Sequence, residues 1–88
     1  MGTNILDKAI NICKKFGVTK LVLFGSAVEN LSKARDLDLA VDGIRGWRII
    51  ELAAELENEL NINVDVVRIE KDSKFIQHIL SYGKVLYA

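Results

Sequence analysis

The chain has 88 residues, with 12 Lys and Arg balanced by 12 Asp and Glu, one His, one Cys and no Pro. A chain of this length supports one hydrophobic core, so we expect a single domain over residues 1–88. The zero formal net charge argues against direct nucleic-acid binding, and no apolar run reaches the roughly 18–20 residues of a membrane span, so we expect a cytoplasmic protein.

The hydrophobic pattern changes period several times along the chain, which predicts helices alternating with strands. In chain order, the predicted elements are helix 3–16, strand 18–24, short helix 26–31, strand 36–42, helix 47–60, strand 62–69, helix 72–82 and edge strand 84–88. Glycine follows the first and last helices, and Asp72 or Ser73 caps the last one. This order predicts an α/β (α+β) fold, a small mixed β-sheet with helices packed against one face.

Three aspartates lie at strand positions where apolar packing does not explain them. Asp36 and Asp38 are two residues apart, so their side chains leave strand 36–42 on the same face. If Leu37 and Val64 line the core, Asp65 lies on that face as well. On neighbouring strands these carboxylates would come within about 5–8 Å, where like charges repel unless a proton or a cation lies between them. The pattern suggests metal-assisted phosphoryl chemistry with Mg²⁺; the alternative is an ordinary solvated strand face.

A Gly-Ser pair follows the strand over 18–24. Gly25 allows a tight turn and the close approach of a ligand, and Ser26 begins a helix whose first N–H groups attract anions. The pair suits a phosphate site, and the alternative is an ordinary turn. Trp47 also has two interpretations, as a ring that stacks on a base or as a core or interface aromatic.

The order of these features carries more information than any one of them. The chain reads Leu-Phe-Gly-Ser at 23–26, then nine residues, Asp-Leu-Asp-Leu-Ala-Val at 36–41, a helix, and Val-Asp-Val-Val at 64–67. This closely resembles the minimal nucleotidyltransferases, the MNT type of the DNA polymerase β-like superfamily. Their signature is Gly-Ser, a short spacer, Asp-x-Asp within a strand, and a third Asp on a later strand. The segment 79–87 also resembles the family's closing helix and strand, so the resemblance covers nearly the whole chain.

The resemblance implies a Mg²⁺-dependent enzyme that transfers a nucleotide to a hydroxyl group, with ATP or another nucleoside triphosphate as substrate and AMP as the expected group. Gly25 and Ser26 would hold the β- and γ-phosphates, and Asp36 and Asp38 would bind two Mg²⁺ ions. Asp65 would share one metal and help activate the acceptor hydroxyl. Members of this family commonly pair with a HEPN-domain ribonuclease toxin, which they neutralise by adenylylation, by binding or by both. The resemblance therefore implies an antitoxin with a HEPN-type partner protein.

The loop after the Gly-Ser pair departs from the family pattern. Many relatives carry a basic loop here, whereas this chain has Ala-Val-Glu-Asn at 27–30, with Glu29 where a phosphate-facing cation is common. Arg35 replaces the small polar residue that usually precedes the first Asp. A second hypothesis is therefore an antitoxin that keeps the fold and neutralises its partner by binding alone. A third is a domain whose acids carry no function, and apolar faces on the first and last helices leave a homo-oligomer open.

Overall fold

The computed structural model describes residues 3–33, 35–70 and 72–88. Its elements in chain order are α1 (Thr3–Lys15), β1 (Lys20–Phe24), α2 (Ser26–Glu29), a 3-10 turn (Leu31–Lys33), β2 (Asp36–Asp42), α3 (Trp47–Leu60), β3 (Asn63–Arg68), α4 (Lys74–Tyr82) and β4 (Lys84–Tyr87). The predicted order of helices and strands is confirmed, and β2 and α3 begin and end at the predicted residues. None of the described helices is long and apolar enough to cross a membrane.

Hydrogen bonds at the element ends explain why two elements are shorter than predicted. After α1, the Val18 amide donates to the Cys13 carbonyl at 3.0 Å, so Val18 belongs to the closing turn of the helix and β1 begins later. Before α4, Ser73 Oγ accepts from the Ile76 amide at 3.3 Å and caps the helix, which begins at Lys74. Ser73 is thus the one of the two predicted caps that the structure uses.

The four strands form one mixed sheet in the order β3-β2-β1-β4. β1 pairs antiparallel with β2 and with β4, while β2 and β3 run parallel. The parallel pair requires a crossover, which α3 supplies by returning the chain to the end of the sheet where β2 begins. Phe24 is opposite Asp38, and Asp38 is opposite Asp65. The last residue of β1 therefore lies at the same end of the sheet as the first residues of β2 and β3.

Apolar side chains are buried on both faces of the sheet. The larger core lies between one face and helices α1 and α3, and it includes Ala9, Ile12, Cys13, Leu21, Leu23, Leu37, Leu39, Val41, Leu52, Leu56 and Val64. On the other face, Ile76 and Ile79 of α4 pack against Val22, Phe24 and Ala40 and form a smaller core. The expectation that helices pack against one face needs one correction, because α4 packs on the face opposite α1 and α3. The physical reason is that β1 is buried at every position over 21–24, so both of its faces require cover.

A hydrogen bond from the last strand holds the turn that precedes the first strand. The Tyr87 hydroxyl donates to the Val18 carbonyl at 2.7 Å. Burial raises the pKa of Tyr87 to about 12, so the hydroxyl keeps its proton at neutral pH. Lys14 Nζ lies 5.3 Å from the centroid of the Tyr87 ring, a cation–π distance. These contacts join β4 to the turn between α1 and β1.

We expect Tyr87→Phe to lower the free energy of unfolding by about 1 kcal/mol, the net contribution of a typical hydrogen bond. For a domain of this size, the loss corresponds to roughly 4–8 °C in Tm. Tyr82→Phe is the matched control, because the Tyr82 side chain is exposed. Thermal unfolding followed by circular dichroism measures both variants, and an equal change in the two would contradict a stabilising role for the Tyr87 hydrogen bond.

Candidate active site

The pairing of β2 with β3 brings the predicted aspartates onto neighbouring strands. In the parallel register, Leu37 is opposite Val64 and Asp38 is opposite Asp65. Leu37 and Val64 are buried in the larger core, so Asp38 and Asp65 leave the sheet on the other face. Asp36 begins β2 two residues before Asp38 and therefore shares that face. All three predicted acids, Asp36, Asp38 and Asp65, lie on the same face of the sheet, which we call the acidic face.

Asp38 is the most constrained of the three acids. Its side chain is half-buried, whereas Asp36 and Asp65 are exposed. Burial raises the pKa of the Asp38 carboxyl, the charges of Asp65 and then Asp36 raise it further, and a hydrogen bond to Asp65 favours its protonated form. The Asp38–Asp65 pair is therefore a position where positive charge is favoured.

The three acids do not meet at a single point. Over 3–33, 35–70 and 72–88, no group of three His, Cys, Asp or Glu side chains is placed to hold a metal ion. Asp38 and Asp65 are directly opposite across the strand pair, and the charge of Asp36 acts on Asp38 from the same strand. The arrangement is thus a carboxyl pair with a third carboxylate beside it.

The Gly-Ser turn lies directly against Asp38. Gly25 follows β1 with φ 76° and ψ −157°, a backbone conformation that is almost confined to glycine. A Cβ atom at this position would overlap the Asp38 carboxylate. Ser26 begins α2 with its side chain exposed, beside the N–H groups that the first turn of a helix leaves without helical carbonyl partners. The structure therefore places Gly25 and Ser26 at the same end of the sheet as Asp38.

The two departures from the family pattern lie at the surface. Glu29 is the last residue of α2, about one turn after Ser26, and it is exposed. Arg35 directly precedes β2 and is also exposed. Ala27, two residues before Glu29 in α2, is buried in the larger core, which fixes where α2 lies on the sheet. The loop thus carries a negative charge at its solvent edge, close to the Gly-Ser turn.

Two further residues belong to this end of the acidic face and were not predicted as part of a site. Phe24 is opposite Asp38 across the β1–β2 pair, and Asn63 is opposite Asp36 across the β2–β3 pair. The orientation of Phe24 could have been predicted from the alternation of side chains along β1, because Leu23 faces the larger core and its neighbour must face the other way. The place of Asn63 opposite Asp36 depends on the register between two distant strands, which no local sequence pattern contains.

We expect Asp38→Asn to raise Tm at pH 7 and to leave it nearly unchanged near pH 3. A pKa raised in the folded state means that the folded chain holds this proton more tightly than the unfolded chain. Stability is therefore unaffected below the ordinary Asp pKa and falls as the pH rises through the raised value, a loss that Asn removes. The gain should be about 0.2–1 kcal/mol, the range for cross-strand pairs.

Thermal unfolding at the two pH values measures this difference. Asp7→Asn on α1 removes the same charge from an exposed position and serves as the control. An equal gain at pH 7 in both variants would assign the effect to net charge and contradict local repulsion at Asp38.

Gly25→Ala tests the close approach of the turn to Asp38, and Gly46→Ala is its matched control. Both glycines precede a helix with similar backbone angles, φ 76° and ψ −157° at Gly25 against φ 64° and ψ −135° at Gly46. A Cβ at Gly46 meets nothing within 4 Å. We expect Gly46→Ala to cost about 1–3 kcal/mol of backbone strain, and Gly25→Ala to cost more in urea unfolding because of the overlap with Asp38. An equal loss of unfolding free energy in the two variants would show that the Asp38 side chain moves aside without a measurable cost.

Comparison with known sequences assigns this chain to a family. Residues 7–88 match the family model described as polymerase beta, nucleotidyltransferase. A search of curated proteins finds no match. The matched range includes the Gly-Ser turn and all three aspartates of the acidic face.

Solved structures of toxin–antitoxin complexes are similar to this chain. A tri-AMPylated Shewanella oneidensis HEPN toxin in complex with MNT antitoxin is 26% identical, with TM-score 0.79, over 100% of this chain and 73% of that one. A toxin–antitoxin structure with AMP-PNP is 26% identical, with TM-score 0.79, over 93% and 72% of the two chains. A mutant of the toxin–antitoxin MntA-HpeT is 26% identical, with TM-score 0.80, over 94% and 72%. Since the family model matches nearly its whole length, the chain belongs to the polymerase β nucleotidyltransferase family and is a nucleotidyltransferase domain.

Proposed function

We propose that this chain transfers AMP from ATP to a hydroxyl group of a HEPN-type toxin protein and thereby acts as its antitoxin. The observation that carries the proposal is the acidic face, where Asp36, Asp38 and Asp65 lie beside the Gly25 turn. Two of the similar solved structures support the choice of group and acceptor, because one contains a tri-AMPylated HEPN toxin and another contains AMP-PNP. A cytoplasmic location, which the composition favours, would supply the ATP.

Asp36, Asp38 and Asp65 are the residues that would hold Mg²⁺, in two ions as is common for phosphoryl-transfer sites. The chemistry of these ligands suits the metal, because Mg²⁺ takes oxygen ligands and binds through one or two carboxylates together with substrate phosphates, so the three acids need not meet at one point. The raised pKa of Asp38 beside the charge of Asp65 is a second point of fit, since a cation bound near both carboxylates would offset their repulsion. When bound, Mg²⁺ neutralises phosphate charge and stabilises both the attacking and the leaving oxygen.

Gly25 and Ser26 are proposed to hold the β- and γ-phosphates of the nucleotide. The absence of a side chain at Gly25 lets a phosphate oxygen approach the backbone closely. The exposed Ser26 hydroxyl can donate to a second oxygen, and the first N–H groups of α2 favour negative charge. The α-phosphorus of the nucleotide would then face the acidic residues at the start of β2.

The transfer itself is a substitution at the α-phosphorus. The acceptor oxygen forms the new P–O bond while the bond from the α-phosphorus to the bridging oxygen breaks, and pyrophosphate leaves. The exposed carboxylate of Asp65 can take the acceptor proton, since an acceptor on another protein must arrive from solvent. Positioning and charge neutralisation supply most of the rate enhancement in reactions of this class.

The second candidate function is an antitoxin that binds its partner without transferring a nucleotide. The exposed Glu29 favours it, because this carboxylate lies one helical turn from Ser26 and would repel a triphosphate. Neutralisation of the partner would then depend on surface contact alone. The two candidates differ in whether the acidic residues are needed.

We expect the double variant Asp36→Asn/Asp38→Asn to lower AMP transfer by at least about a hundredfold, because it removes the charge that the phosphates and metal require. The assay incubates the purified chain with labelled ATP, Mg²⁺ and a HEPN-type partner, and detects AMP on the partner by mass spectrometry. Asp7→Asn is the control for loss of an acidic residue away from the site.

Partner neutralisation is measured in parallel with the transfer assay. Loss of both transfer and neutralisation in the double variant supports the enzyme. Neutralisation that persists in a wild-type chain without detectable transfer would contradict the enzyme and favour the binding antitoxin.

A further inference from the structure

An exposed aromatic ring lies beside the acidic face at the beginning of α4. Phe75 is the second residue of this helix, and its side chain is 58% exposed. The ring centroids of Phe75 and Phe24 are 6.4 Å apart, with an angle of 89° between the ring planes. Phe24 is the residue directly before Gly25 and the register partner of Asp38. Phe75 is therefore separated from the acidic residues by a single buried ring.

We infer that Phe75 is the platform on which the base of the bound nucleotide stacks, an inference that rests on the proposed function. Side chains of directly opposed residues in an antiparallel pair share a face and lie about 4.5–5.5 Å apart at their Cβ atoms. Asp38, Phe24 and Phe75 consequently follow one another along the same face of the sheet. A nucleotide with its α-phosphorus at Asp38 has its base one ribose away, in the region where Phe75 lies.

The geometry of the two rings leaves Phe75 able to stack. In a perpendicular pair, at most one face of the Phe75 ring can lie against Phe24, so the opposite face is not covered by that contact. Stacking of a nucleobase on an aromatic face is favourable and tolerates any base, because every base has a π-face. The ring would thus bind the base of the nucleotide while the Gly-Ser turn binds its phosphates.

Trp47 is the other exposed aromatic considered for stacking on the base, and its position argues against that role. Its side chain is 75% exposed at the first residue of α3. However, α3 follows the far end of β2, after Asp42, and the four residues from Asp38 to Asp42 span about 13 Å of strand. Trp47 therefore lies away from the acidic residues and provides a matched control of the same chemical class.

The test is a calorimetric titration of the full chain in Mg²⁺ with two probes, ATP and inorganic tripolyphosphate. We expect Phe75→Ala and Phe75→Leu to weaken ATP binding roughly 5- to 100-fold and to leave tripolyphosphate binding unchanged, because only ATP has a base. Phe75→Tyr keeps a ring and should bind ATP like the wild type. Trp47→Ala should leave both affinities unchanged. Phe75→Leu retains apolar volume against Phe24, so it remains informative if Phe75→Ala unfolds.

Three results would contradict the inference that Phe75 stacks on the base. ATP binding that is unchanged in both Phe75→Leu and Phe75→Ala would show that the ring does not contact the base. Equal weakening of ATP and tripolyphosphate would show a general disturbance of the site. Unchanged ATP binding with loss of AMP transfer to the partner would assign Phe75 to the acceptor protein instead. A wild-type chain that binds neither probe would remove the nucleotide site itself, which is the separate failure of the proposed function.

Discussion

Parallel pairing of β2 with β3 places Asp38 opposite Asp65, and the rest of the candidate site is arranged around that contact. Two carboxyl groups on directly opposed residues destabilise a sheet unless a proton or cation offsets their repulsion. The register persists because Leu37 and Val64, one residue earlier on each strand, are buried in the larger core. A slip of one residue would send the acids into that core and the apolar residues into solvent. Apolar packing on one face therefore fixes the charge cluster on the other.

Gly25, directly after β1, extends this constraint to the Gly-Ser turn. Asp38 occupies the space that a Cβ of residue 25 would need, so the acid and the turn are packed together. Phe24, one residue earlier, lies opposite Asp38 and also contacts α4 through Phe75 and the smaller core. One end of the sheet thus joins three chemical features over a short distance: acids, a close backbone turn and an aromatic ring. Strand pairing positions the acids and Phe24, and the close approach of Gly25 to Asp38 places the turn beside them.

Much of this arrangement could be predicted from the sequence, and the exceptions have physical causes. Strand β2 begins and ends as predicted because its alternation is strict, and α3 does so because one apolar stripe runs along its whole length. The position of α4 opposite α1 and α3 was not predicted, although the unbroken apolar run of β1 contains a signal for it. The contact between Phe24 and Phe75 depends on how α4 crosses the sheet, which no local pattern encodes. The register that sets Asp38 opposite Asp65 likewise depends on the pairing of two distant strands.

In the proposed function, the acidic face and the Gly25 turn form one cation-dependent nucleotide site. A calorimetric titration of the purified chain with ATP, with and without Mg²⁺, beside the Asp36→Asn/Asp38→Asn variant tests this site. We expect ATP binding that requires Mg²⁺ and is lost in the folded double variant. ATP binding that is independent of Mg²⁺, or that survives in the double variant, would contradict it.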